Sequence, residues 1–389
     1  MVKTDEKFKM VAKTFKGLEE VLYKELKGIG ATSIKKGIRM VEFEGDKEMM
    51  YRANFYLRTA LRILKPIAEF KAQDEDELYQ AVKKTDWSIF FDVKSTFAID
   101  SVVNSKYFSH SKYVALKVKD AIVDQFRDKF GKRPYVETDD PDIRLSVHIT
   151  NDLCTISLDS SGESLHKRGY RIKATKAPLN EVLAAGMILL TGWDGKSTFI
   201  DPMCGSGTIL IEAAMIAHKI PPGIYRKRFG FENWNDFDDG LLQTIYDEDS
   251  QDEHVNTTIL GYDVSEVAIR IAEENCKNAG LHRMISLQVK DFEQLVPENT
   301  PQGVVVTNPP YGERLVKDEI EVFYKMMGDQ FKNNFPNFNV WLLSSNMQAI
   351  KNIGLHPDHK LTLYNGPLEC KFLKYSIYQG SKKGKNSKM

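Results

Sequence analysis

The sequence predicts an α/β protein: a twisted, mostly parallel sheet wound with helices on both faces, preceded by two small α+β units. Three observations carry this. From about Lys176 onward, short apolar runs alternate with amphipathic helical stretches, the pattern of a doubly wound sheet. Before that point, strands and helices follow the order of small α+β units. The length, 389 residues, exceeds one ordinary domain, and 42% hydrophobic residues can fill more than one core.

The first unit is read from a strand at Phe8–Val11, apolar residues at helical spacing over Phe15–Leu26, stop signals at Gly28 and Gly30, an alternating stretch at Gly37–Glu44 and a helix at Lys47–Leu57. These suit a β-α-β-β-α order. The second unit has strand signals at Arg62–Phe70 and Phe97–Val103, and helices at Asp74–Lys83 and Ser111–Lys129. A hairpin follows, Arg144–Ile149 and Leu153–Leu158 around Thr150-Asn151-Asp152. In the third, a helix at Asn180–Leu190 precedes strands at Ser197–Ile200, Thr258–Tyr262, Ile285–Val289, Gly303–Thr307 and Val340–Ser344. Helices at Thr208–His218, Glu266–Ala279 and Ile320–Asn333 intervene. The polar, aromatic and acidic stretch Pro221–Glu253 reads as an insertion or a helical loop. Lys382–Met389 reads as a basic, disordered tail.

Lys+Arg and Asp+Glu balance at 54 each, so net charge argues neither for nor against nucleic acid. Its distribution is uneven. Leu165–Lys176 carries Lys167, Arg168, Arg171, Lys173 and Lys176 without an acid, either solvated surface or an RNA-facing side. Tyr170, within it, is open to a packing or a stacking role. The four cysteines are far apart with no Cys-x-x-Cys pair, so no zinc site, other metal or disulfide framework is expected. The Lys-rich start and the lack of an apolar run of about 18 residues argue against a signal peptide and a membrane helix. The expectation is a soluble cytoplasmic protein.

Three groups of residues carry chemistry. Asp201-Pro202-Met203-Cys204-Gly205-Ser206-Gly207-Thr208 follows a strand and opens a helix. Its glycines permit a tight turn and close ligand approach, and the helix N-terminus favours a carboxylate. The third glycine of a pyrophosphate fingerprint and the Lys-Ser/Thr pair of a P-loop are missing. Cys204 reads as a small packed side chain rather than a nucleophile. Asp263 and Asp291 end the next two strands. Asp263 can grip ribose hydroxyls or cap the helix near Glu266. Asp291, with Phe292 beside it, can accept from an adenine amino group or serve a turn. Finally, Val-Val-Val-Thr runs into Asn308-Pro309-Pro310-Tyr311. The two prolines make a rigid corner that presents an amide oxygen, a prolyl carbonyl and a flat ring. Those groups suit an exocyclic amine on a planar base.

In this order, the motifs resemble the class I methyltransferases that use S-adenosyl-L-methionine to modify amino groups. The resemblance implies a Rossmann-like sheet. It assigns cofactor contacts to Asp201, Pro202, Cys204, Gly205, Ser206, Gly207, Thr208, Asp263, Val264, Asp291, Phe292 and Asn308. Asn180 joins them, because Pro178–Glu181 resembles the segment that helps close that site. It assigns catalysis to Asn308, Pro309, Pro310 and Tyr311. Asp159–Arg171 looks like the junction between a THUMP domain and such a methyltransferase. That junction occurs in the group of RlmL-like 23S rRNA guanine-N2 methyltransferases and tRNA guanine-N2 methyltransferases.

The implied organisation is a ferredoxin-like domain at 1–65, a THUMP RNA-binding domain at 66–162, the methyltransferase domain at 163–381 and the tail at 382–389. The implied activity is N2-methylguanosine formation in 23S rRNA, with Lys167, Arg168 and Arg171 as RNA contacts. Guanine-N2 methylation of tRNA and adenine-N6 methylation of DNA are the enzymatic alternatives, the latter using the same tetrapeptide chemistry. A catalytically silent RNA-binding protein is the alternative from another class. The fused second methyltransferase half of the enterobacterial enzyme is missing from this sequence, and nothing in it sets an oligomeric state.

Overall fold

The computed structural model describes residues 6–174, 178–248, 257–297, 300–310 and 317–378. The chain divides into two compact units, one of Met1–Thr14, Leu22–Leu165 and Arg226–Ser250, the other of Phe15–Val21, His166–Tyr225 and Gln251–Met389.

The first unit is built on one eight-stranded sheet. In chain order its elements are β1 (Phe8–Lys13), α1 (Glu19–Gly28, which begins in the second unit's Phe15–Val21 stretch), β2 (Thr32–Gly37), β3 (Met40–Gly45), α2 (Lys47–Tyr56), β4 (Arg62–Lys71), α3 (Glu75–Lys84), β5 (Thr96–Asn104), α4 (Ser111–Phe130), β6 (Tyr135–Val136), β7 (Ile143–Thr150) and β8 (Leu153–Asp159). The strand order is β2-β3-β1-β4-β8-β7-β5-β6. The division expected between residues 65 and 66 falls inside β4, which pairs with β1 at one end and with β8 along most of its length. Pro66 has no amide to donate, and the β4–β8 register shifts between Pro66 and Ala68. Asp46 and Asp74 cap α2 and α3 by accepting from backbone amides of the first turns. The expected hairpin is β7–β8, with Asn151 at φ 55° in its turn.

The second unit continues with α5 (Glu181–Thr191), β9 (Thr198–Asp201) and α6 (Thr208–Ala217). Residues 226–248 then rejoin the first unit. The acidic stretch is a 3-10 turn at Gly230–Asn233 followed by α7 (Asp239–Glu248). Phe229, Phe231, Trp234, Leu242 and Ile245 sit in that unit's core, each contributing about 1.5–3 kcal/mol by burial. Phe231 stacks on Tyr51 with ring centroids 4.0 Å apart. Arg226 donates to the carbonyls of Ser161, Glu163 and Ser164.

The second unit closes with β10 (Ile259–Asp263), α8 (Glu266–Asn278), β11 (Ile285–Val289), β12 (Gly303–Thr307), α9 (Lys317–Asn334), β13 (Phe338–Ser344), β14 (His359–Asn365) and β15 (Leu368–Ser376). Its sheet has seven strands, in the order β11-β10-β9-β12-β13-β15-β14. The first five are parallel and, as expected, alternate with helices. The antiparallel hairpin β14–β15 was not among the expected elements. Among the described residues, no helix is long and apolar enough to cross a membrane.

Candidate active site

β9 and β12 lie side by side, and the chain winds outward from them in opposite directions. This is the switch point at which open α/β sheets leave a crevice beyond the carboxyl ends of their strands. Asp201, Asp263, Asp291 and Asn308 all stand at or just past the carboxyl ends of β9, β10, β11 and β12.

The Cys204–Thr208 turn is fixed by its neighbours. Cys204 N donates to the Tyr262 carbonyl (2.8 Å) and Gly207 N to the Cys204 carbonyl (2.9 Å). Asp263 accepts from Gly205 N through Oδ2 and from Ser265 N through Oδ1, each at 2.9 Å. The cap of α8 is Ser265, whose hydroxyl accepts from Ala268 N, so Asp263 holds the turn rather than the helix end. Gly205 has φ 54°, and a Cβ there would meet no atom within 4 Å, leaving open space over the turn. Gly207 has φ 82°, and a Cβ would come within 3.1 Å of Ala272 Cβ. Pro202, Ser206 and Thr208 are buried, whereas Val264 is 70% exposed.

Asp201 is buried and accepts from Met203 N at 3.2 Å. Burial pushes its pKa up to about 7; the charge on Asp263 adds to the rise and the Met203 amide opposes it. Burial, with the charges of Asp201 and Asp263, also holds the Cys204 thiol well above its usual range, as suits a packed side chain.

Asp291 accepts from Glu293 N and caps a 3-10 turn. The Phe292 ring is buried and packs against Phe331 and Phe335, within the core around α9. Asn180 caps α5, its Oδ1 accepting from Val182 N and Leu183 N.

β12 is buried along its whole length and delivers Asn308 half-buried, Pro309 buried and Pro310 exposed. Asn308 Oδ1 is enclosed and has no hydrogen-bond partner among the described residues. A buried acceptor without a donor costs roughly 1–3 kcal/mol. Tyr311 lies outside the described residues.

The basic junction corrects the expectation for Arg168. Arg168 is 1% exposed and ion-paired with Glu212 of α6, which also accepts from the Tyr170 hydroxyl at 3.0 Å. Tyr170 is therefore a packing residue. Arg171 pairs with Glu181 and donates to the Leu179 carbonyl and the Thr208 hydroxyl. Burial withdraws the Arg168 guanidinium from any phosphate, and that of Arg171, half-buried, is engaged with Glu181, Leu179 and Thr208. Lys167 is exposed. Sequence reasoning missed the acids that pair with these arginines, and it missed Asn275, a buried residue of α8 that joins the junction to the glycine turn.

Comparison with known proteins agrees with this architecture. The model of the RMKL-like methyltransferase domain matches residues 168–374, that of the THUMP domain 72–159, and that of the RlmL ferredoxin-like domain 9–64. A ribosomal RNA large subunit methyltransferase K/L of Syntrophotalea carbinolica is 38% identical over 385 residues, 96% of this chain and 54% of its own length. The chain thus spans about half the length of the curated relatives it matches. Among solved structures, SMU.472, named for a methyltransferase and complexed with SAH, has a TM-score of 0.86 at 30% identity over 97% of this chain and 100% of its own. A Listeria monocytogenes protein, named for N6-adenine-specific DNA methylation, has a TM-score of 0.84 at 32% identity over 96% of this chain and 97% of its own. The α/β fold, with its ferredoxin-like, THUMP and class I methyltransferase parts, is the one expected, and the chain belongs to the RMKL-like methyltransferase-domain family.

Proposed function

We propose that this protein is a cytoplasmic RNA methyltransferase that uses S-adenosyl-L-methionine to form N2-methylguanosine in 23S rRNA. The observation that carries the reading is the enclosed Oδ1 of Asn308 at the switch point, which has no hydrogen-bond partner among the described residues. An amine hydrogen is the donor this oxygen lacks.

The donor half fits its residues. Gly205 leaves room over the turn, the N-terminus of α6 suits a carboxylate, and Asp263 has acceptor capacity left for ribose hydroxyls. Asp291 takes the place of the adenine contact. When bound, S-adenosyl-L-methionine supplies an electrophilic methyl group on a sulfonium.

The chain's own residues do the rest by positioning. Asn308 Oδ1 and the Pro309 carbonyl accept the two hydrogens of the guanine amine, which disfavours delocalisation of its lone pair into the ring. They also stabilise the positive charge that grows on nitrogen. Tyr311 stacks on the base, and the rigid corner keeps the acceptors in place. No strong general base is needed, because the amine proton is acidic once the methyl is attached. Lys167 supplies a phosphate contact, and the THUMP part binds the RNA; domain limits of 1–65, 66–162 and 163–381 are proposed for the three parts.

Adenine-N6 methylation of DNA is kept as the second reading because a close structural relative carries that name. Incubation with labelled methyl donor and 23S rRNA, tRNA or duplex DNA, followed by nucleoside mass spectrometry, separates the readings. Label in N2-methylguanosine of 23S rRNA is expected. Label only in tRNA, or in N6-methyladenine of DNA, would replace this reading with one of the others, and the lack of any transfer would favour a silent RNA-binding protein.

A further inference from the structure

The glycine turn is held from the crevice side by Asp263, and from behind by one buried amide. Asn275 of α8 is 1% exposed, and its side chain makes four hydrogen bonds. Oδ1 accepts from Ile172 N (3.0 Å) and Lys173 N (3.3 Å) of the junction. Nδ2 donates to the Lys173 carbonyl (3.0 Å) and to the Ser206 carbonyl (3.1 Å), the latter between the two turn glycines. A primary amide offers two donors and two acceptor sites, so Asn275 is saturated, and three of its four bonds go to the junction.

The fourth bond has a distinct consequence. Gly205 and Gly207 sit at φ 54° and 82°, conformations that glycine adopts at little cost and also leaves easily. Between them, the Ser206 peptide can reorient unless its carbonyl is anchored. The same junction reaches the other side of the turn through Arg171, which donates to the Thr208 hydroxyl at the start of α6.

We propose that Asn275 is a positioning residue for the methyl-donor site. By anchoring the Ser206 carbonyl to the junction, it pre-sets the Gly205–Gly207 backbone in its donor-binding conformation. This rests on the reading that the turn binds S-adenosyl-L-methionine. Preorganisation of this kind acts on donor affinity and leaves the chemical step alone.

The test is calorimetry with S-adenosylhomocysteine on the full chain. Asn275→Ala is expected to weaken binding about tenfold, the scale of one lost buried hydrogen bond. The KM for S-adenosyl-L-methionine should rise in parallel, with kcat at saturating donor within about twofold of the parent. Asn278→Ala is the comparator. Asn278 donates to the Gly169 and Tyr170 carbonyls of the same junction and, among the described residues, makes no bond to the turn, so this variant should bind normally. Should Asn275→Ala fail to fold, Asn275→Asp, which keeps both acceptor bonds, takes its place.

Unchanged affinity in a folded Asn275 variant would overturn the proposal. So would equal losses in the Asn275 and Asn278 variants, or failure of both Asn275 variants to fold, since Asn275 would then be holding the fold rather than the turn. If the parent protein does not bind S-adenosylhomocysteine, the donor reading itself fails, a result distinct from the others.

Discussion

Two neighbouring strands end in opposite ways. Beyond β9, in the Cys204–Thr208 turn, the amides of Cys204, Gly205 and Gly207 and the carbonyls of Cys204 and Ser206 all have partners. Beyond β12, the Asn308 amide oxygen is enclosed with none among the described residues. The first is a finished surface that can receive a ligand without rearranging. The second is a polar group left short, where a ligand's donor would supply the missing bond. On the function proposed above, the donor lies on the β9 side and the reacting amine on the β12 side.

The largest effect that can break this comparison lies behind the finished side. Arg168→Ala leaves Glu212 buried with the Tyr170 hydroxyl as its only donor among the described residues, which should cost about 3–5 kcal/mol in urea unfolding. RNA affinity, measured where the variant is folded, should hardly change. Normal stability with lost RNA binding would return Arg168 to the phosphate-contact role first expected of it.

Asp263→Ala removes the acceptor for Gly205 N and Ser265 N. The resulting loss of about 1–3 kcal/mol should appear as a roughly ten- to hundredfold weaker affinity for S-adenosylhomocysteine by calorimetry. Unaltered affinity would mean that the turn holds its shape without this carboxylate.

A third effect is on pH dependence. An aspartate in an unfolded chain ionises near pH 4, about three units below the folded value of about 7 for Asp201. Between these values the native state keeps a proton that the unfolded state has lost. Stability therefore falls as pH rises from about 4 to about 7 and levels off above that. Asp201→Asn should flatten this part of the melting-temperature profile, and an unchanged slope would place the titration elsewhere.

The strand-end acids, the glycine turn and the Asn-Pro-Pro corner were legible because each couples a strand terminus to residues with unusual backbone demands. The fates of Arg168 and Arg171 were not. Their partners, Glu212 and Glu181, lie inside helices whose neighbours are apolar, and no local pattern announces a long-range buried pair. The packing of Phe292 against α9 was not legible either, because an aromatic beside a strand-end acid reads alike whether it faces a ligand or a helix. The insertion's place in the first unit was hidden for the same reason, since its aromatics do not name the core they fill. The β14–β15 hairpin, by contrast, had a usable signal in Gly366-Pro367, the two-residue loop between the paired Asn365 and Leu368, with Gly366 at φ 60°.

Most direct is single-turnover methyl transfer to 23S rRNA by Asn308→Ala, with S-adenosylhomocysteine affinity measured on the same preparation. Removing an acceptor that strengthens in the transition state should slow transfer by about 10²–10³ while affinity stays within a few-fold. Transfer at the parent rate would contradict the role given to the unpartnered oxygen.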